Sequence, residues 1–140
     1  MKRAGSAAIL LAAGALAGCQ TPVGPVAEPL VARTDHPIPD VPVPAPFAID
    51  RGESLDHTSP TMRLIRHVYT ARSVSPAAVA RFYRRQMPIG SWQPLGEVEG
   101  GGGRLMAFGR GDEKCLIHIG RDRWPVRTII AVEVIGQPAR

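Results

Sequence analysis

One segment of this 140-residue chain has helical periodicity, and it must share a core with a row of strands. The segment runs from Ser75 to Met87. Ser75 offers the side-chain oxygen of a good N-cap, and Pro76 suits the first helical position, where its missing N–H is not needed. Val74 and Val79 are spaced for a hydrophobic staple. Val79, Phe82, Tyr83, Gln86 and Met87 recur at helical spacing and make one face, while Arg81, Arg84 and Arg85 fall mostly away from it. Pro88 and Gly90 end the helix. A lone helix covers one face of a sheet, which narrows the architecture to a helix packed on one side of an antiparallel sheet. The other side is then exposed, covered by the N-terminal segment, or covered by a partner.

The strands are read from alternation and from turn residues. Glu53 to His57 is a weak strand pattern, Thr58-Ser59-Pro60-Thr61 is a turn, and Met62 to Thr70 is a strand. After the helix, Trp92 to Val98 is interrupted by Pro94, so it belongs at an edge or carries a bulge. Gly100 to Gly103 is a hairpin loop, Leu105 to Arg110 a strand, and Gly111-Asp112-Glu113 a turn. Cys115 to Gly120 places Cys115, Ile117 and Ile119 on one face and Leu116 and His118 on the other. Arg121 to Pro125 reads as a loop, and Thr128 to Ile135 is the strongest strand, with Ile130, Val132 and Val134 on one face. The expected order is β-β-α-β-β-β-β, an α+β fold with about five to six strands.

The N-terminal third has a different character. Pro22, Pro25, Pro29, Pro37, Pro39, Pro42, Pro44 and Pro46 remove backbone donors and favour extended polyproline II. Residues 19–46 therefore read as a tether, with residues 47–140 as a single domain. The segment from about Val41 is expected to dock along the domain, with Phe47 and Ile49 in the core. At about 3.1 Å per residue, such a tether reaches about 80 Å at most.

Before the tether, Lys2 and Arg3 precede an apolar stretch from Ala7 to Leu16, which is too short for the roughly 20 residues that span a bilayer. It ends in Leu16-Ala17-Gly18-Cys19, and the whole reads as a secretory signal in residues 1–18. The last four residues resemble the lipobox of bacterial lipoproteins. The resemblance implies cleavage before Cys19, a diacylglyceryl group on its sulfur and an acyl group on its new amine. More than one chain is needed, because a single acyl chain gives only marginal membrane binding. Gln20 in place of an aspartate implies the outer membrane rather than the inner.

Composition limits the rest. Loss of Lys2 and Arg3 would lower the formal charge of +5 by two, and acidic residues are interspersed throughout, so nothing suggests a nucleic-acid partner. The chain has two cysteines, Cys19 and Cys115, so acylation of Cys19 leaves Cys115 without a partner in the chain. The domain must then be held by packing, with Cys115 as a small buried hydrophobe.

No catalytic constellation or cofactor site is expected. Cys115 and His118 would lie on opposite faces of a strand. None of His36, His57, His67 and His118 falls in a metal-ligand spacing, although His67 and His118 could meet across strands. Asp122 and Glu133 do not suggest a carboxylate pair. The glycine run before Arg104 lacks the helix and lysine of a phosphate loop. Arg110-Gly111-Asp112 matches an adhesion tripeptide but is explained by turn chemistry. Arg81, Arg84 and Arg85 form the candidate patch for an anionic partner, because arginine forks pair well with phosphate.

Three stretches carry a further resemblance: Asp40-Val41-Pro42-Val43-Pro44, the run from Val79 to Trp92 with its Phe-Tyr-x-x-Gln-Met-Pro helix end, and Cys115 to Ile119. Together they resemble small lipoproteins of planctomycete-type bacteria, over roughly residues 40–135. The family pattern has Gly directly before the tryptophan, where this chain has Ser91. The resemblance implies fold and location and brings no activity with it. The expectation is a lipid-anchored, periplasm-facing, non-catalytic binding or structural module, with an envelope protein or anionic polymer as its candidate partner. The alternative is an enzyme or metal-binding protein whose site assembles only in three dimensions.

Overall fold

The computed structural model describes residues 28–137. Six strands form one antiparallel sheet: β1 (Ala48–Thr58), β2 (Arg63–Ala71), β3 (Gln93–Gly100), β4 (Gly103–Arg110), β5 (Glu113–Arg123) and β6 (Val126–Gly136). The single helix, α1 (Pro76–Gln86), lies between β2 and β3 in the chain and runs into a 3-10 turn, Met87–Gly90. The element order matches the one expected from the sequence, and the balance makes it a mostly-β fold. Several elements are longer than the local patterns suggested. β1 begins at Ala48, and β5 continues to Arg123, because ladder bonds to a neighbour hold residues whose own pattern is weak.

Across the sheet the order is β1-β2-β6-β5-β4-β3. β3 to β6 form a meander, and β6 returns to lie beside β2. This places β2 and β3 in the same direction and four positions apart. A turn cannot make that connection, so α1 carries the chain across one face of the sheet. Ser75 caps it, its side chain accepting from the Ala78 N–H at 3.1 Å. Val79, Ala80, Phe82, Tyr83 and Met87 are buried against the sheet, with α1 resting on β5. β3 is an edge strand, and its register slips between Pro94 and Gly96, as proline demands. The β3–β4 turn is closed by Gly101 and Gly102, both at positive φ (59° and 83°), as a type I′ hairpin turn requires.

The N-terminal segment corrects the tether boundary. Packing starts near Leu30 rather than Val41, and residues 30–47 form a strap across the same face as α1. Ile38, Val41, Val43 and Phe47 are buried in the core, with Leu30, Ala32 and Ile49 packed against it. The strap folds back on itself: Arg33 N–H donates to Val43 O at 2.8 Å and Ala45 N–H to Val31 O at 2.9 Å. Prolines alternate with the inward valines, and their lack of donors is tolerated because the strap borders no ladder. Since strap and helix share one face, the opposite face stays uncovered by the described residues. Leu64, Leu105, Leu116, Ile129 and Ala131 are half-buried there, and Val98 and Ile135 are exposed.

Ser91 adopts φ 64°, ψ 16°. This left-handed conformation turns the chain so that Trp92 N–H reaches Met87 O at 3.1 Å and its ring enters the core. A non-glycine residue costs about 1–2 kcal/mol there, and glycine returns part of that as backbone entropy. Ser91→Gly should therefore raise the unfolding free energy by up to about 1 kcal/mol in a denaturant melt. Phe47→Ala should lower it by about 3–5 kcal/mol. A change within error for Phe47→Ala would show that the strap is not part of the cooperative unit.

Candidate functional site

Two surfaces and one buried cluster carry the chemistry among the described residues. The cluster lies at one end of the sheet, where the strap, β2, β4 and β5 converge. Asp40 on the strap takes a bidentate pair of hydrogen bonds from Arg63, at 2.7 and 2.8 Å. Arg63 also reaches Glu113 Oε1 at 3.3 Å, and Arg110 Nη2 donates to Glu113 Oε2 at 2.6 Å and to Asp40 Oδ2. The Arg110 guanidinium lies 4.4 Å over the Trp92 ring, and Trp92 Nε1 donates to Asp40 O at 3.0 Å. The Glu113 side chain has no exposure to solvent. Sequence alone placed Glu113 in a turn. In the fold it opens β5 and points inward because it faces Arg110 across the hairpin. Burial on its own would raise the Asp40 carboxyl, but hydrogen bonds from Arg63 and Arg110 outweigh it and hold the pKa at about 2.

The cluster accounts for two sequence features. Arg110 of the Arg110-Gly111-Asp112 tripeptide is turned inward onto Asp40 and Glu113, so the tripeptide is not displayed as a unit. Cys115, one turn of alternation beyond Glu113, is fully buried, and burial pushes its thiol up to about 12. A thiol in that state is a poor nucleophile.

The histidines are separated by the sheet. His67 pairs with Val132 and faces the core side, whereas His118 pairs with Ala131 and is exposed on the open face, so the two do not meet. Cys115 and His118 also take opposite faces. Asp122 pairs with Arg127 at 2.8 Å and Glu133 with Arg66 at 3.7 Å. They are six residues of β5 apart in register, about 20 Å. No group of three His, Cys, Asp or Glu among the described residues is arranged to hold a metal ion.

A polar cleft that sequence reasoning missed opens between the strap and β1. Arg33, Asp35, Arg51, Ser54, Asp56 and His67 line about 400 Å³. His67 Nδ1 lies 3.1 Å from the Tyr69 hydroxyl and Nε2 lies 3.8 Å from Asp56, beyond hydrogen-bond reach. Burial lowers the His67 pKa against the pull of Asp56, which favours the neutral ring. Ser54 Oγ donates to Asp50 O at 2.6 Å and accepts from Val68 N–H at 3.1 Å, so it pins the irregular stretch of β1. No local spacing announces the cleft, because its members come from the strap, β1 and β2.

The arginines of α1 are not equivalent. Arg84 is bound bidentately to Glu97 of β3 at 2.6 and 3.0 Å, and Glu97 also receives Arg104. Arg85 donates to the Leu30 carbonyl of the strap at 2.7 Å, a neutral acceptor that leaves its charge uncompensated. Arg81, on the outer line of the helix, has no ionic partner among the described residues. The patch read from sequence as Arg81, Arg84 and Arg85 thus retains two free charges, Arg81 and Arg85. Cys19 lies outside the described residues.

The Asp40 pairing gives stability a defined pH window. Because the folded pKa of about 2 lies below the ordinary 3.8, the contribution is complete above about pH 4 and is lost as pH falls to about 2. Asp40→Asn should lower the melting temperature near neutrality. The gap from wild type should then narrow between pH 4 and pH 2. A gap that stays constant through this range would exclude the ion pairs as its source.

Comparison with known proteins finds no matching family model, no matching curated protein and no matching solved structure.

Proposed function

We propose that this chain is a lipid-anchored cell-envelope protein whose folded part is a non-catalytic binding module. The observation that carries the reading is Leu16-Ala17-Gly18-Cys19 behind an apolar stretch with a basic start. In this reading, residues 1–18 are removed, Cys19 carries the lipid, and the domain faces the periplasm, on the outer membrane given Gln20. The resemblance to small lipoproteins of planctomycete-type bacteria agrees with that location. Support for a binding rather than a catalytic role comes from the chemistry of the candidate residues. Cys115 is buried with a raised thiol pKa, His67 and His118 are on opposite sides of the sheet, and Ser54 is committed to the backbone. The half-buried apolar residues on the open sheet face and the polar cleft beside β1 are the surfaces on offer to an envelope component.

The anchor is tested by expressing the full chain in a Gram-negative host and recovering its N-terminal peptide for mass spectrometry. The expected peptide begins at Cys19 and carries a diacylglyceryl group, and the protein floats with membranes. Cys19→Ala should carry no lipid. A wild-type N-terminus without lipid, or one that starts elsewhere, overturns the proposal.

A further inference from the structure

The geometry points to the exposed side of α1 at Arg81 and Arg85, together with Ile89 of the 3-10 turn that follows it, as a surface that lies against the anionic head groups of the membrane holding the anchor. This rests on the lipidation of Cys19 proposed above and adds an orientation and a lipid preference to it.

Four observations converge. First, docking of the strap shortens the free tether. Eleven residues lead from Cys19 to Leu30, and even fully extended they reach about 40 Å. A tether running to residue 46 would reach about two and a half times as far. The domain is therefore confined to the neighbourhood of its own membrane. Second, the tether leaves the domain beside this helix face, because Arg85 holds the Leu30 carbonyl itself at 2.7 Å. The side of the domain nearest the anchor is the side that carries the arginines. Third, Arg81 and Arg85 stand one turn apart and are both exposed, without an ionic partner among the described residues, whereas Arg84 is neutralised by Glu97. Uncompensated guanidinium groups at this position match lipid phosphates in charge and in fork geometry. Fourth, the same end of the domain exposes aliphatic side chains that contribute nothing to the core. Ile89, in the 3-10 turn after α1, is 75% exposed, and Val31, next to Leu30, is 65% exposed. Basic residues flanking exposed aliphatic ones are the composition of a surface that sits in the head-group layer. The opposite face of the sheet, which carries His118, then points away from the membrane and is free to receive a partner.

The test uses the full-length lipidated protein. Ile89→Cys and His118→Cys are labelled with an environment-sensitive dye. The native cysteines do not compete, since Cys115 is buried and Cys19 would be alkylated. Each protein is reconstituted into phosphatidylcholine vesicles with or without phosphatidylglycerol, and quenching by neutral acrylamide is measured. Flotation of the vesicles scores the anchor separately. In the vesicles with phosphatidylglycerol, quenching at Ile89 should fall about two-fold or more, and quenching at His118 should not change. Arg81→Glu, at an exposed side chain with no hydrogen bond or ion pair among the described residues, should abolish the protection at Ile89 while the protein still floats. Equal quenching at the two sites, or equal protection with and without phosphatidylglycerol, in protein that floats overturns this orientation and leaves the anchor standing. Protein that does not float overturns both.

Discussion

The bidentate bond between Asp40 and Arg63, completed by Arg110 and Glu113, is the contact on which the arrangement of this domain turns. It joins a proline-rich segment with no ladder of its own to the end of a six-stranded sheet. Buried ion clusters often add little net stability, since desolvation offsets the attraction. They discriminate strongly between registers, however, because a shifted strap would take Asp40 away and leave the guanidinium groups of Arg63 and Arg110 to share the single buried carboxylate of Glu113. The apolar burial of Ile38, Val41, Val43 and Phe47 supplies the driving force, and the charges select where along the sheet it is realised.

That choice of position determines what is left for function. With strap and helix side by side on one face, the other face keeps a row of half-buried aliphatic residues open to solvent. The strap also ties up most of what composition presents as a long spacer, so the length of chain left between Cys19 and the packed domain is set by folding rather than by the number of prolines. Arg85 sits at the junction, holding the strap with one N–H and keeping its charge. Arg84, one residue earlier, is committed to β3 instead. Neighbouring residues of the same type thus have different roles because the helix has the strap on one flank and the β3 edge on the other.

Local signals identified the helix, its cap and its stop almost residue for residue, because each depends on neighbours within four positions: Ser75 with Ala78, Pro76 in the first turn, Pro88 and Gly90 beyond the end. The strands with strict alternation, Cys115 to Gly120 and Thr128 to Ile135, were legible for the same reason. The early part of β1 was not, since Ala48 to Asp50 has no alternation and is held by β2. Nor was Glu113, whose Gly-Asp-Glu context looks like a turn until Arg110 is placed opposite it.

The sequence by itself determined the element order, the apolar face of the helix and the expectation of an anchor at Cys19. These are carried by short-range periodicity, capping and a contiguous motif. Only the tertiary structure decided the strand order, the start of the strap, the pairing of Asp40, Arg63, Arg110 and Glu113, and which arginines of the helix are left without an ionic partner among the described residues. Those depend on residues up to seventy positions apart that meet only when the sheet is assembled, as Asp40 and Arg110 do. No spacing rule along the chain encodes such a meeting. The common reason is range: backbone dihedrals and neighbouring side chains are properties of a segment, whereas burial and ion pairing are properties of the packed whole.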